Sequence, residues 1–64
     1  MNKLAVKIAE KGLRKGWVAE KVGIAPGTLS KIVKGDSLPT LPVALKIAEV
    51  LETTVEDLWG HTKK

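Results

Sequence analysis

Sixty-four residues without one cysteine make a single domain, 1–64, near the lower size limit for independent folding, and neither disulfides nor a Cys-based zinc site can staple it. Hydrophobic residues make up 44% of the chain, nearly all Ala, Val, Leu and Ile, and two Trp are the only aromatics, so helices rather than strands are expected. The net charge of +4 is unevenly spread: residues 1–35 hold eight basic and two acidic side chains, residues 36–64 three basic and five acidic, an asymmetry that suits one face to a polyanion. No apolar run nears the roughly 18 residues that a membrane span needs. No signal-peptide core follows the charged start, so a cytoplasmic setting is expected.

Five helices are expected. Leu4, Ile8 and the smaller Ala5 and Ala9 recur at i, i+4 over about residues 2–11, and Gly12 stops that helix. Arg14 to Val22 reads as a second helix, with Val18, Ala19 and Val22 on one face and Gly23 at its end. A third runs from Pro26, suited to a first turn, to Lys34, with Gly35 closing it. Asp36-Ser37-Leu38-Pro39 has turn chemistry. Thr40 is the expected N-cap of a fourth helix whose inner face is Leu41, Ala44, Leu45, Ala48 and Leu51. Thr54 caps a fifth, with Glu56 and Asp57 in its first turn, where the helix dipole favours acids. Gly60 and the tail 61–64 are expected to fray.

The second and third helices carry the chemistry. Ala19 is small where two helices would cross closely, Gly23 can adopt the left-handed turn, and Ile24 can plug the corner. Leu29 and Ile32 would fasten the third helix to the core. Its outer face, Pro26, Gly27, Thr28, Ser30, Lys31 and Lys34, is then free to enter a major groove. The stretch Lys11-Gly12-Leu13, Val18 through Ile24, Thr28 through Ile32 and Lys34-Gly35 resembles the phage repressor and Cro (Xre-like) family of helix-turn-helix transcriptional regulators. The likeness continues through Pro39-Thr40-Leu41, Leu45 through Leu51 and Val55 through Leu58, without gaps over about residues 4–59.

That resemblance implies an all-α, five-helix bundle of the lambda-repressor-like DNA-binding type, with the helix-turn-helix at about residues 15–34. It also implies dimeric binding to a pseudo-palindromic operator in double-stranded DNA. Lys15 stands where relatives commonly have a DNA-contacting Gln, and Thr28 and Lys31 match DNA-contacting places. Pro26 and Gly27 stand where polar base-readers are usual. What remains there is backbone approach and an apolar contact with a thymine methyl, leaving Lys31 and Thr28 most of the base reading, with Lys15 and Ser30 assisting. An Arg–Glu ion pair frequent in the family is replaced by Ile8 and Val33, predicting an apolar contact instead. Glu52 stands where Gly is usual, predicting a left-handed non-glycine residue.

Candidate DNA contacts are therefore Arg14, Lys15, Trp17, Pro26, Gly27, Thr28, Ser30, Lys31, Lys34, Ser37 and Thr40. Trp17 projects outward and suits either a sugar-phosphate backbone or a protein partner. The latter would make the domain an interaction module, such as an antitoxin or adaptor, on the same frame. Trp59 is expected in the core, with a dimer contact as the second option. His61 stands without a second His or any Cys, so no metal is expected; no cofactor, small-molecule ligand or catalytic carboxylate pair is expected either, and the chain does not read as an enzyme. The apolar surface toward the C-terminus reads as small, which predicts a protein that pairs only on DNA.

Overall fold

The first helix, α1 (Leu4–Glu10), begins two residues later than the apolar spacing suggests, and Asn2 is the cause. Its side-chain oxygen accepts from the Leu4 N–H at 3.0 Å, and its amide donates to the Ile32 carbonyl at 2.9 Å. Asn2 thus stands outside the helix and ties its start to another part of the chain. The Lys3 N–H also donates to the Leu58 carbonyl, 55 residues on, at 3.0 Å. The computed structural model describes residues 2–60, so expectations for residues 61–64, His61 included, lie outside the described residues.

Four more helices follow: α2 (Lys15–Val22), α3 (Pro26–Lys34), α4 (Leu41–Val50) and α5 (Val55–Trp59). Arg14 is the N-cap of α2 rather than its first residue. Four of the five helices stop in the same way. After α1, α2, α3 and α4 the chain turns through a left-handed residue, and the next N–H reaches back five residues: Leu13 to Ile8, Ile24 to Ala19, Asp36 to Lys31 and Thr53 to Ala48, at 2.9–3.1 Å. This satisfies carbonyls that a helix end leaves orphaned. Three of those left-handed residues are glycines, and the fourth is Glu52, with φ 57°. Thr40 does hold the N-cap place of α4, but its hydroxyl makes no capping hydrogen bond. Thr54 caps α5, accepting from the Asp57 N–H at 3.0 Å.

One core joins all five helices. Leu4 and Ile8, Val18 and Ala19, Leu29 and Ile32, Ile47, Ala48 and Leu51, and Leu58 are buried together, with Leu13, Ile24, Val33 and Trp59 packed against them. Burying one such Leu or Ile contributes about 1.5–3 kcal/mol. The main packing pairs are α2 on α3, α2 on α4, and α4 on α5. Ile8 and Val33 both belong to this apolar assembly, and no charged side chain is buried among the described residues.

Two inner faces differ from the sequence expectation. On α1, Ala5 and Ala9 are exposed, and only Leu4 and Ile8 enter the core. On α4, Leu41 and Leu45 are 66% and 54% exposed, and Ile47 takes the central buried place between Ala44, Ala48 and Leu51. The apolar arc of α4, from Val43 and Val50 across to Leu45, is broader than α2 and α5 can cover. Its Leu41–Leu45 edge is left outside. Leu41 borders an open cleft of about 310 Å³ lined by Leu38, Pro39, Leu41, Ala44, Val55 and Trp59. Trp59 therefore serves both surfaces, half-buried against the core and forming one wall of the cleft.

Candidate nucleic-acid interface

The turn between α2 and α3 rests on one carbonyl. Gly23, with φ 92°, and Ile24 both donate their N–H groups to the Ala19 oxygen, at 2.8 and 3.0 Å. Ala19 is fully buried, so a larger side chain there would push apart the helices that meet around it. Ala25 then caps α3 in an extended conformation, and Pro26 takes the first helical place, where no N–H is needed.

Burial fixes the rotation of α3. Leu29 and Ile32 face the core with 0% and 2% exposure. At 3.6 residues per turn, Gly27, Lys31 and Lys34 fall at i, i+4 and i+7 on the opposite side, and all three are exposed. Thr28 flanks this stripe on one side and is exposed; Ser30 flanks it on the other and is half-buried. Pro26 is exposed at its leading end. Arg14, Lys15 and Trp17 are exposed at the start of α2, while Ser37 is half-buried and Thr40 exposed in the connection after α3. Because the Thr40 hydroxyl does not cap α4, it remains available to a group from outside.

The charges are sorted between faces. Lys7 pairs with Asp57 at 3.1 Å, Lys11 with Glu52 at 3.7 Å, and Lys46 with Glu49 at 3.6 Å. By contrast Arg14, Lys15, Lys31 and Lys34 form no ion pair among the described residues. The acids thus compensate cations on α1 and α4 and leave those of α2 and α3 uncompensated. Lys21 lies 5.5 Å from the centre of the Trp17 ring, close enough for attraction between ammonium and π-face. Trp17 is 43% exposed. Its surface is therefore cationic and aromatic together, not a bare apolar patch.

Among the described residues, Asp57 is the one group whose acidity is shifted. The Thr53 hydroxyl donates to it at 2.8 Å, and the Lys7 ammonium lies on the same oxygen. Both hold its carboxyl below the usual value of 3.8, the Thr53 hydrogen bond most. This pair of contacts joins α1 to α5, well away in sequence from the helix-turn-helix. No metal-binding cluster of His, Cys, Asp or Glu occurs among the described residues, and none of their helices is long and apolar enough to cross a membrane.

The arrangement of α2, turn and α3 is matched by a family model described as Helix-turn-helix over residues 4–58. The chain belongs to the helix-turn-helix family. Its repressor and Cro-type resemblance is thereby sustained, along with the all-α, five-helix architecture. This helix-turn-helix chain is also similar to the crystal structure of "a putative DNA-binding protein from Bacteroides fragilis", with 33% identity and a TM-score of 0.82, over 91% of this chain and 94% of that one. No curated protein matches the chain.

Several features of this helix-turn-helix domain were not evident from sequence. Asn2 gave a weak signal, an Asn just ahead of an apolar-periodic run, but its partners are a carbonyl on α3 and the start of α1. The Lys7–Asp57–Thr53 contacts and the Leu38–Leu41–Trp59 cleft gave none, since each depends on how distant elements dock. Gly16 and Gly27 are each the second residue of a helix, at ordinary helical backbone angles, a shared placement that emerges only once the helix starts are fixed.

Proposed function

We propose that this protein is a sequence-specific, double-stranded DNA-binding regulator that places α3 in the major groove and acts by occupying an operator. The observation that carries it is the uncompensated cationic stripe, Lys31 and Lys34 on α3 beside Arg14 and Lys15 on α2. Cations without acid partners are what a phosphate backbone can neutralise, with release of counterions. Thr28 and Ser30 flank the stripe on its two sides, and Ser37 and Thr40 lie in the connection after α3. Trp17 with Lys21 above it suits a sugar-phosphate surface. That favours DNA over a protein partner at the same place, because a partner binding through indole would need the ring bare.

A second copy is the natural occupant of the cleft beside Trp59. Leu38 and Leu41 stand out at a hollow walled by Pro39, Val55 and Trp59, and Leu45 is exposed one helical turn after Leu41, so one surface offers both ridge and groove, as a two-fold contact requires. The longest dimension of the domain is 31 Å. Successive major grooves on one side of a duplex lie about 34 Å apart, so a pair of copies on DNA would have to hold its two α3 helices at about that spacing. With three large apolar side chains exposed, the surface is more extensive than the sequence suggests.

An amide titration of labelled protein with mixed-sequence duplex, at low and moderate salt, tests the DNA assignment. Shifts at Lys15, Thr28, Ser30, Lys31 and Lys34 that collapse with salt are expected. Three phosphate contacts per copy, from Arg14, Lys15 and Lys34, correspond to a log–log salt slope of about −3. If those amides stay still while others move, the frame serves a different partner.

A further inference from the structure

Gly16 and Gly27 have no cause inside the molecule. The glycines at 12, 23 and 35 all have positive φ and end helices, whereas these two have ordinary helical backbone. A methyl group built on either would meet no neighbouring atom within 4 Å, so neither makes room for a packed side chain. Alanine would serve the fold better at both. They share one further property: each is the second residue of its helix, and the two helices are those that frame the cationic stripe. What they provide is bare backbone, facing outward, at the leading ends of α2 and α3. Beside Gly27, Pro26 adds a pyrrolidine ring with no N–H and no polar side-chain atom. The surface of residues 26 and 27 is thus apolar and shallow, amid polar and charged neighbours.

Resting on the DNA-binding function proposed above, we infer that Pro26 and Gly27 determine specificity by receiving the C5-methyl of a thymine, while Lys31 takes a guanine. The thymine methyl is the apolar group on the major-groove edge of a base pair, and guanine presents the paired acceptors that an ammonium can meet. A long polar side chain at Gly27 would displace the methyl from this surface. Gly16 plays the matching part on α2, letting the backbone of its first turn come close to the duplex. Gly27 and Lys31 are four residues apart, about 6 Å along the helix axis, or about two steps of a duplex rising 3.4 Å per base pair. The preferred half-site therefore holds a thymine and a guanine within about two base pairs of each other.

The test begins by selecting the preferred duplex from a random pool with the wild-type protein. Each thymine is then replaced singly by uracil, which removes only the methyl group. One thymine per half-site should respond, with affinity falling about fourfold, the worth of one buried methyl-sized group. Gly27→Gln, which puts a long polar side chain where the methyl would sit, should abolish the difference between thymine and uracil at that position. Gly16→Ala should lower overall affinity and preserve the difference. Lys31→Ala should lose the guanine preference and keep the thymine response. Gly16→Ala and Gly27→Gln should both melt at or above the wild-type temperature, since each puts a better helix former into open space, so a lost response cannot come from unfolding. If no thymine responds to uracil while Lys31→Ala still weakens salt-dependent binding, the specificity assignment is overturned and the DNA function stands. If no duplex is selected and binding shows no salt dependence, both fall.

Discussion

Glu52 occupies the corner between α4 and α5 with φ 57°, a conformation that costs a residue bearing a Cβ about 1 kcal/mol. Its contact with Lys11, at 3.7 Å and with the Glu52 side chain 83% exposed, contributes little in return. Glu52→Gly should therefore stabilise the domain by up to about 1 kcal/mol, raising the melting temperature by about 4–8 °C for a domain of this size. A lower melting temperature would mean that Glu52 does more than turn the chain. This corner was legible through the family resemblance, because Glu52 stands where relatives usually have the Gly of a left-handed turn. Asn2 was not, since its value lies in reaching the Ile32 carbonyl thirty residues away. Lys31 belongs to the same scale. As an exposed residue at the centre of the α3 stripe, its replacement by Ala should cost about 1–3 kcal/mol on the preferred duplex and leave thermal stability within about 0.5 kcal/mol. Equal loss on all sequences would make it a phosphate contact alone.

At the scale of elements, the existence and order of the five helices followed from apolar spacing and from glycines at 12, 23 and 35. Helix ends are local events, and their signals sit within a few residues. Which side of a helix becomes the core is not local. On α4 both Leu45 and Ile47 satisfy helical spacing, and only the docking of α2 and α5 chooses Ile47. The docking of α5 has a pH dependence. With the Asp57 carboxyl held below its usual 3.8 by Thr53 and Lys7, the folded state favours the ionised form. The resulting stability is present above the unfolded pKa and is lost as pH falls through the lowered folded value. Thermal melts of wild type should fall in this acid range, whereas Asp57→Asn should start lower at neutral pH and lose less in acid. Parallel curves for the two proteins would remove Asp57 from the acid response.

For the whole molecule, the division of labour between faces was half legible. The charge asymmetry of residues 1–35 pointed to α2 and α3, and the structure sharpens it by pairing Lys7 and Lys11 with acids far along the chain. The cleft was hidden, because it forms only where the connection after α3 passes α5. Leu41→Lys would place a charge at the edge of that cleft without touching the core. Binding to a duplex with one half-site should be unchanged, while cooperative binding to two half-sites should disappear, as gel-shift titrations of both duplexes would show. Retained cooperativity would place the contact between copies elsewhere.

The hydrogen bond from Lys3 to Leu58 sets two residues from opposite ends of the helical array side by side. The five helices consequently form a nearly closed circuit. A short peptide joining the neighbourhoods of residues 3 and 58, with a new opening between Ser37 and Leu38, would leave in place every helix and the Asp36 and Thr40 hydrogen bonds that end α3 and begin α4. Such a circular permutant would carry its new C-terminus directly behind α3. A reporter or second binding module could then be attached beside the groove-facing helix without lengthening or interrupting it.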